Sequence, residues 1–239
     1  MSADGLATVG VGATAWTTGR VVTKDLPAPH LVRLRLDVED RQRHWPGQHY
    51  LVRLRDPEDY TAQRSYSVAS DDSDPLVELL VERLPGGEVS EFLADVAEVD
   101  DVLELRGPIG RWFRWDTCTP ALCLVGGTGV VPAVSMVRAA RHLQRTDLLR
   151  VVAVGRTAAE LPYADELTGA GATVALTREA TPDRPAGAPT REEIVPLLDG
   201  VELAFVCGSA RFADYAEKLL LDAGLDASSI RVERFGVTG

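Results

Sequence analysis

The chain has 239 residues, 45% hydrophobic and 26% charged, a length that suits two small domains and a composition able to build packed cores. Disorder, collagen-like repeats and a disulfide scaffold are excluded. With 36 acidic against 25 basic residues the formal net charge is −11; such a surface repels polyphosphate, so nucleic acid is not the expected partner.

Residues 1–15 carry Asp4 ahead of a mildly apolar run and no basic segment, so they read as a flexible leader and not as a signal peptide. From Trp16 to about residue 116 the rhythm is alternation. In His30-LVRLRLDV, Val32, Leu34, Leu36 and Val38 fall on one face and Arg33, Arg35 and Asp37 on the other. Similar runs recur at Tyr50-LVRLR, Arg64-SYSVAS, Leu76-VELLVERL and Val102-LELRG, separated by the turn signals Trp45-PGQ, Asp71-DSDP and Pro85-GG. Short strands at this spacing predict an antiparallel barrel or sandwich. Ser90-EFLADV, with an N-cap type followed by acid, predicts a short helix.

Trp112 to Thr119 is the expected linker. Thr117 to Val137 is uncharged but punctuated by Pro120, Gly126, Gly127, Gly129 and Pro132, so it reads as strand, turn and helix, and no membrane span is expected. Beyond it, apolar runs at 121–125, 149–155, 173–177, 202–207 and 230–235 alternate with helical periodicity at about 132–145, 163–169, 190–198 and 211–223. Thr190-REE opens the third helix as a capping box, and Phe212, Tyr215, Leu219 and Ala223 form one face of the fourth. This order predicts a doubly wound parallel sheet of five strands. The domains are therefore expected at 16–116 and 117–239.

The first strand of the second half ends in Gly126-GTGVVP132. Glycines let a backbone approach a pyrophosphate and the following helix start offers free N–H groups, although a plain tight turn has the same residues. Pro132 suits a first helical turn. In such sheets ligands bind beyond the carboxyl ends of the strands. That places Arg156, Arg178, Cys207-Gly208-Ser209 and Glu233 to Gly236 at the expected crevice. Arg156 could hold a 2′-phosphate or be an ordinary solvated arginine; Cys207 could line the site or simply pack. In the first half, Arg64 and Tyr66 share a strand face, where a phosphate and a flat ring could lie side by side, or the segment is only a strand. Pro85-Gly-Gly-Glu-Val-Ser90 is a second phosphate-loop candidate.

Arg64-SYS67, Gly86-GEVS90, Gly107-PIG-RWF113, Gly126-GTGVVP132, Cys207-GSARF212 and Glu233-RFG236 occur in one order along the chain. In that order they resemble the ferredoxin-NADP⁺ reductase-like flavoproteins, most closely their stand-alone two-domain reductases, over nearly the whole chain from Trp16. The resemblance implies a six-stranded antiparallel flavin-binding barrel followed by the nicotinamide-binding α/β domain, and FAD with NADPH, or NADH, as cofactors. It implies that Arg64 binds the flavin pyrophosphate, Tyr66 stacks on the ring, and Ser67 bonds near the reactive nitrogen, with Ser65 and Val81 also at the flavin. Gly86, Gly87, Glu88, Val89 and Ser90 would hold phosphate oxygens. Gly127, Thr128, Gly129, Pro132, Arg156 and Gly208 would accommodate the dinucleotide, Cys207 and Glu233 would lie by the nicotinamide, and Phe235 near the flavin. Ser67, Cys207 and Glu233 are the expected catalytic residues.

The implied activity is reduction of FAD by NAD(P)H, with electrons passed on to a ferredoxin or an oxygenase component. A reductase of free flavin, or a non-catalytic nucleotide-binding subunit, are the alternatives. Arg156, with no acid nearer than Glu160, favours NADPH. An acidic ferredoxin would dock slowly unless Arg33, Arg35, Arg53 or Arg55 forms a basic patch. The cysteines Cys118, Cys123 and Cys207 have no disulfide or zinc spacing and cannot hold an iron–sulfur cluster, so no metal site is expected and the setting is a reducing, cytoplasmic one.

Overall fold

The structure, a computed structural model, describes residues 15–56, 58–182 and 184–236. The leader expected at 1–15 lies, except for Ala15, outside the described residues. The chain divides into two compact units, Met1–Arg111 and Trp112–Gly239.

The first unit holds β1 (Trp16–Ala28), β2 (Leu31–Val38), β3 (His49–Arg55), β4 (Thr61–Ser67), β5 (Val77–Glu82) and β6 (Val102–Ile109). They form one antiparallel sheet in the order β4-β3-β6-β1-β2-β5. Its two outer strands are joined by the bridge Val68–Leu79 and by Ala69 N–H donating to Glu78 O at 2.8 Å. That join curls the sheet into a barrel, which resolves the choice between barrel and sandwich. The alternation in β2 holds: Val32, Leu34, Leu36 and Val38 are buried in the core with Val52, Val77, Leu79 and Leu105. Each such side chain contributes about 1.5–3 kcal/mol of burial.

β1 has no run that announces it. Only Gly19 and Val21 are buried along its thirteen residues, and it is held by pairing with β2 on one side and β6 on the other. The helix after the glycines begins earlier than Ser90. Its N-cap is Gly87, α1 spans Glu88–Glu91, and the helix continues as a wider π-turn over Phe92–Val96. Ser90 is inside the first turn, because its hydroxyl donates to Gly87 O at 3.0 Å and accepts from Leu84 N–H at 3.2 Å.

The second unit holds β7 (Ala121–Gly126), α2 (Val131–His142), β8 (Leu149–Gly155), α3 (Ala164–Gly169), β9 (Thr173–Leu176), α4 (Arg191–Ile194), β10 (Leu203–Ser209), α5 (Ala210–Asp222) and β11 (Ile230–Phe235). The five strands are parallel in the order β11-β10-β7-β8-β9, with the reversal of winding beside β7. Helices cover both faces. Leu122, Leu124, Ala204 and Val206 pack with Ile194 of α4 and Ala213 and Leu220 of α5, whereas Cys123, on the other face, touches Met136 of α2 at 3.5 Å. The capping box at Thr190 is formed, with Glu193 accepting the Thr190 N–H at 2.7 Å. The buried face of α5 includes most of the one expected: Leu219 is inside and Phe212 and Ala223 pack against the core, while Tyr215 is exposed and Ala213, Ala216 and Leu220 are inside as well. Small alanines let the helix sit close on β10, and hydrophobic size alone does not pick them out. Residues 112–119 fold with this unit. Phe113 meets Phe205 edge-on with centroids 5.2 Å apart, and buried Trp115 donates to Thr119 O at 2.8 Å.

Candidate functional site

In the barrel the candidate residues converge on β4. Its inner edge pairs with β3 over the full length, and its outer edge has only the bridge just past Ser67, so a ligand can reach this strand's side chains. Arg64 is exposed, with one hydrogen bond, to its neighbour Gln63 O at 2.8 Å. Other barrel arginines are neutralised: Arg33 by Asp25, Arg35 by Asp74 and Glu78, Arg53 by Glu104, and Arg55 by Asp59. The basic patch considered for these four therefore does not exist as free charge. The contrast leaves Arg64 with no carboxylate partner among the described residues and available to an anion. Ser65 is exposed. Tyr66 is half-buried against the core, and burial pushes its hydroxyl well up, so the ring stays neutral. Ser67 is 6% exposed and its Oγ has no hydrogen-bond partner among the described residues. A buried hydroxyl left unpaired costs about 1–3 kcal/mol, so it marks a place where a polar ligand atom would be satisfied.

The phosphate-loop candidate lies at the start of α1. Gly86 adopts φ +74, and the first-turn amides of Glu88, Val89 and Ser90 have no acceptor within the helix. The Glu88 carboxylate is drawn aside to Tyr60 OH at 3.0 Å. Ser90 Oγ is occupied in bracing the turn, which leaves the backbone as the donor to a phosphate. Val81 and Val89 are fully buried, so only their main chains could meet a ligand. A cavity of about 500 Å³, lined among others by Tyr60, Ala62, Glu88 and Phe92, opens on the same unit and contains none of Arg64, Tyr66 and Ser67.

In the second unit the candidates gather at the carboxyl ends of the strands. Gly127 has φ +57 with open space above it. Gly129 is required for close approach, since a Cβ there would stand 2.4 Å from Cys207 O. The turn after β7 is thereby pressed onto Cys207-Gly208 at the end of β10. Pro132 sits in the first turn of α2, whose N–H groups and dipole face the turn that includes Thr128. Cys207 is opposite Glu233 in register, and Ser209 opposite Phe235. Burial, followed by the charge of Glu233, raises the Cys207 thiol far above its ordinary range, so it is a neutral packing group and not a thiolate. Burial pushes the Glu233 carboxyl up to about 7. Ser209 caps α5 by accepting Phe212 N–H at 3.3 Å.

Arg156 stands apart, at the end of β8, with its side chain 66% exposed and Glu160 4.0 Å away. Its carbonyl accepts Arg178 N–H at 2.9 Å, so the two arginines are neighbours across β8 and β9. His49 is absent from the candidates read in the sequence. Pro46-Gly-Gln-His49 signals only a turn into a strand, and it is the pairing register that sets His49 opposite Ser67.

Among the described residues no group of histidine, cysteine and acidic side chains could hold a metal, and no helix is long and apolar enough to cross a membrane.

Residues 20–114 match the family model described as oxidoreductase FAD-binding domain. The chain is 26% identical over 231 residues to a reductase component of the naphthalene 1,2-dioxygenase/salicylate 5-hydroxylase systems of Ralstonia sp., covering 92% of this chain and 69% of that one. It is 41% identical over 92 residues to the toluate 1,2-dioxygenase electron transfer component of Pseudomonas putida, covering 38% of this chain and 26% of the relative. The chain thus spans between a quarter and about two thirds of these relatives' lengths. Its fold matches the flavohem-like FAD/NAD binding domain of nitric oxide dioxygenase from Vibrio cholerae, with TM-score 0.81, 22% identity, and 92% and 99% of the two chains covered. It also matches a ferredoxin NADP⁺ reductase from Neisseria gonorrhoeae with bound FAD and NADP, with TM-score 0.78, 19% identity, and 92% and 98% covered. A six-stranded barrel that contains the segment matched to the FAD-binding domain model, ahead of a doubly wound five-stranded sheet, is the two-domain fold of these solved neighbours.

Proposed function

We propose that the chain is an NAD(P)H-dependent FAD reductase that passes electrons to a separate acceptor, a ferredoxin or an oxygenase component. The observation that carries the flavin half is the buried, unpartnered Ser67 hydroxyl next to Tyr66, inside the segment that matches the FAD-binding family. FAD, when bound, supplies the chemistry: it takes a hydride from the dihydronicotinamide and gives up electrons singly or as a pair. Arg64 and the first-turn amides of α1 hold phosphate, the Tyr66 ring packs on the flat ring system, and the Ser67 hydroxyl hydrogen-bonds to its polar edge. Gly127, Thr128 and Gly129 let the second nucleotide approach the start of α2. Cys207 and Glu233 wall the nicotinamide side of that crevice with a neutral thiol and a carboxyl whose proton is mobile near pH 7.

Two finer points belong to the same proposal. Arg156, lightly held by Glu160, favours NADPH over NADH. A reducing, cytoplasmic setting is supported by three free cysteines, two of them buried. The acceptor is proposed from the named oxygenase systems of the relatives, and with the barrel arginines paired to acids, an acceptor with a basic docking face suits net charge −11 better than an acidic one.

Acid release and chromatography of the bound flavin test the first step. FAD is expected, because α1 supplies a phosphate site beyond Arg64; FMN alone, or no flavin after incubation with FAD, contradicts the reading.

A further inference from the structure

We propose that two connecting loops of the barrel hold one internal water molecule between them, bound by Arg41, His44, Tyr50 and Asp72. Residues 39–48 join β2 to β3, and residues 68–76 join β4 to β5. Asp72 of the second loop fastens the first. Its carbonyl accepts from Arg41 Nη2 at 2.8 Å, its Oδ2 from Arg43 Nε at 2.7 Å and its Oδ1 from the His44 N–H at 3.0 Å. Two further approaches stop short. His44 Nδ1 stands 3.8 Å and Arg41 Nη2 3.9 Å from Asp72 Oδ1, too far for direct hydrogen bonds and suited to a bridge through water.

Arg41 Nη1, His44 Nδ1 and Tyr50 OH are buried atoms with no hydrogen-bond partner among the described residues. His44 is 3% exposed and Tyr50 0%. Burial pushes the Tyr50 hydroxyl up to about 12, and the charges of Arg41 and Asp72 both act on it, so it belongs to the same centre. Buried polar groups are ordinarily satisfied, by protein or by ordered water. The chemistry of these four selects the occupant. His44 Nε2 lies 3.0 Å from Ser70 O and so carries the ring proton, which leaves Nδ1 a bare acceptor. Burial lowers the imidazole's proton affinity and keeps the ring neutral. Arg41 Nη1 and Tyr50 OH therefore donate, while His44 Nδ1 and Asp72 Oδ1 accept. An anion would be repelled by the Asp72 carboxylate and a cation by the Arg41 guanidinium. A neutral molecule with two protons and two lone pairs suits them all, and a buried water makes about three such bonds on average. Bound there, it completes the joint between the turn that enters β3 and the turn that leaves β4.

A high-resolution crystal structure of the whole wild-type protein is the first test. An ordered water should lie within about 3.2 Å of Arg41 Nη1, His44 Nδ1 and Asp72 Oδ1; side chains closed directly on one another, with no water between them, would overturn the proposal whatever the variants do. In solution, oxygen-17 relaxation dispersion counts long-lived internal waters. His44→Phe, which puts a ring without hydrogen-bonding atoms at the site, should lose one relative to wild type, and an unchanged count in a folded variant would contradict the site. Tyr50→Phe separates a bound water from a hydroxyl that is simply unpaired. Removing one arm of a satisfied site should lower the melting temperature, whereas removing an orphaned group would leave it unchanged or raise it, and that second result would tell against the water.

Discussion

The two units offer a nucleotide opposite kinds of candidate site. In the barrel the candidate contacts are side chains, namely Arg64, Tyr66 and Ser67 on a strand whose outer edge is open. In the α/β unit they are mostly backbone, a glycine turn pressed against the end of a neighbouring strand, with Arg156 a lightly held charge beside it in the sheet. The difference follows from the sheets. Along a barrel edge, side chains alternate outward and can be chosen one by one, whereas a parallel sheet buried on both faces offers only its strand ends. Substitutions should accordingly damage the first site by chemistry and the second by shape.

The largest effect is expected in the turn after β7. Gly129→Val drives a side chain into the Cys207 carbonyl and should cost about 3 kcal/mol, lowering the melting temperature on the order of 10 °C. Gly127→Ala has space and should cost only about 1–2 kcal/mol for its left-handed backbone. Equal losses for the two glycines would break the argument from shape.

The barrel should respond differently. Arg64→Ala removes an exposed group and leaves packing intact, whereas Tyr66→Ala takes away a ring half-buried against the core and should also lower the melting temperature, with the protein still folded. FAD affinity should fall about ten- to a hundredfold, the worth of one charge-assisted bond of about 1.5–3 kcal/mol. Measured flavin content settles this, and a double variant that purifies with a full complement would refute the role of β4.

These two sites were not equally legible. The central strands β7, β8 and β10 of the parallel sheet are visible as short apolar runs because they are buried on both faces, and β2 is visible because its burial alternates. β1 is not, since pairing on both edges holds it where side-chain burial does not. The sequence places the start of α1 too late because serine inside a first turn resembles serine at a cap. Composition also invites a basic patch at Arg33, Arg35, Arg53 and Arg55; two of the acids that cancel it come from distant segments, Asp74 against Arg35 and Glu104 against Arg53. His49 escaped for the same reason, as register between strands is not written in either strand alone.

For the α/β unit, Arg156→Ala sharpens the contrast between a lightly held charge and a backbone cradle. It should weaken NADPH by about 1.5–3 kcal/mol and leave NADH almost untouched. Similar losses in kcat/KM for both nucleotides would remove Arg156 as the discriminator.

The smallest effect concerns Glu233. Its carboxyl titrates near 7 in the folded protein against an ordinary value of 4.5, so folding favours the protonated form. Stability is undiminished below about pH 4.5 and is lost as pH rises through 7. Glu233→Gln should therefore be more stable than wild type at pH 8, by about 1–2 kcal/mol after allowing for the part of the carboxyl still facing water, with no advantage at pH 4. Denaturant titrations at the two pH values decide it, and a pH-independent difference would place Glu233 in ordinary solvent.

The central claim, a flavin held by the barrel and reduced by a nucleotide bound to the parallel sheet, is tested most directly by anaerobic titration of the FAD-loaded protein with NADPH and with NADH. The account predicts bleaching of the visible flavin bands near one equivalent, with NADPH the faster donor. Bound flavin that stays oxidised under an excess of both nucleotides would contradict it.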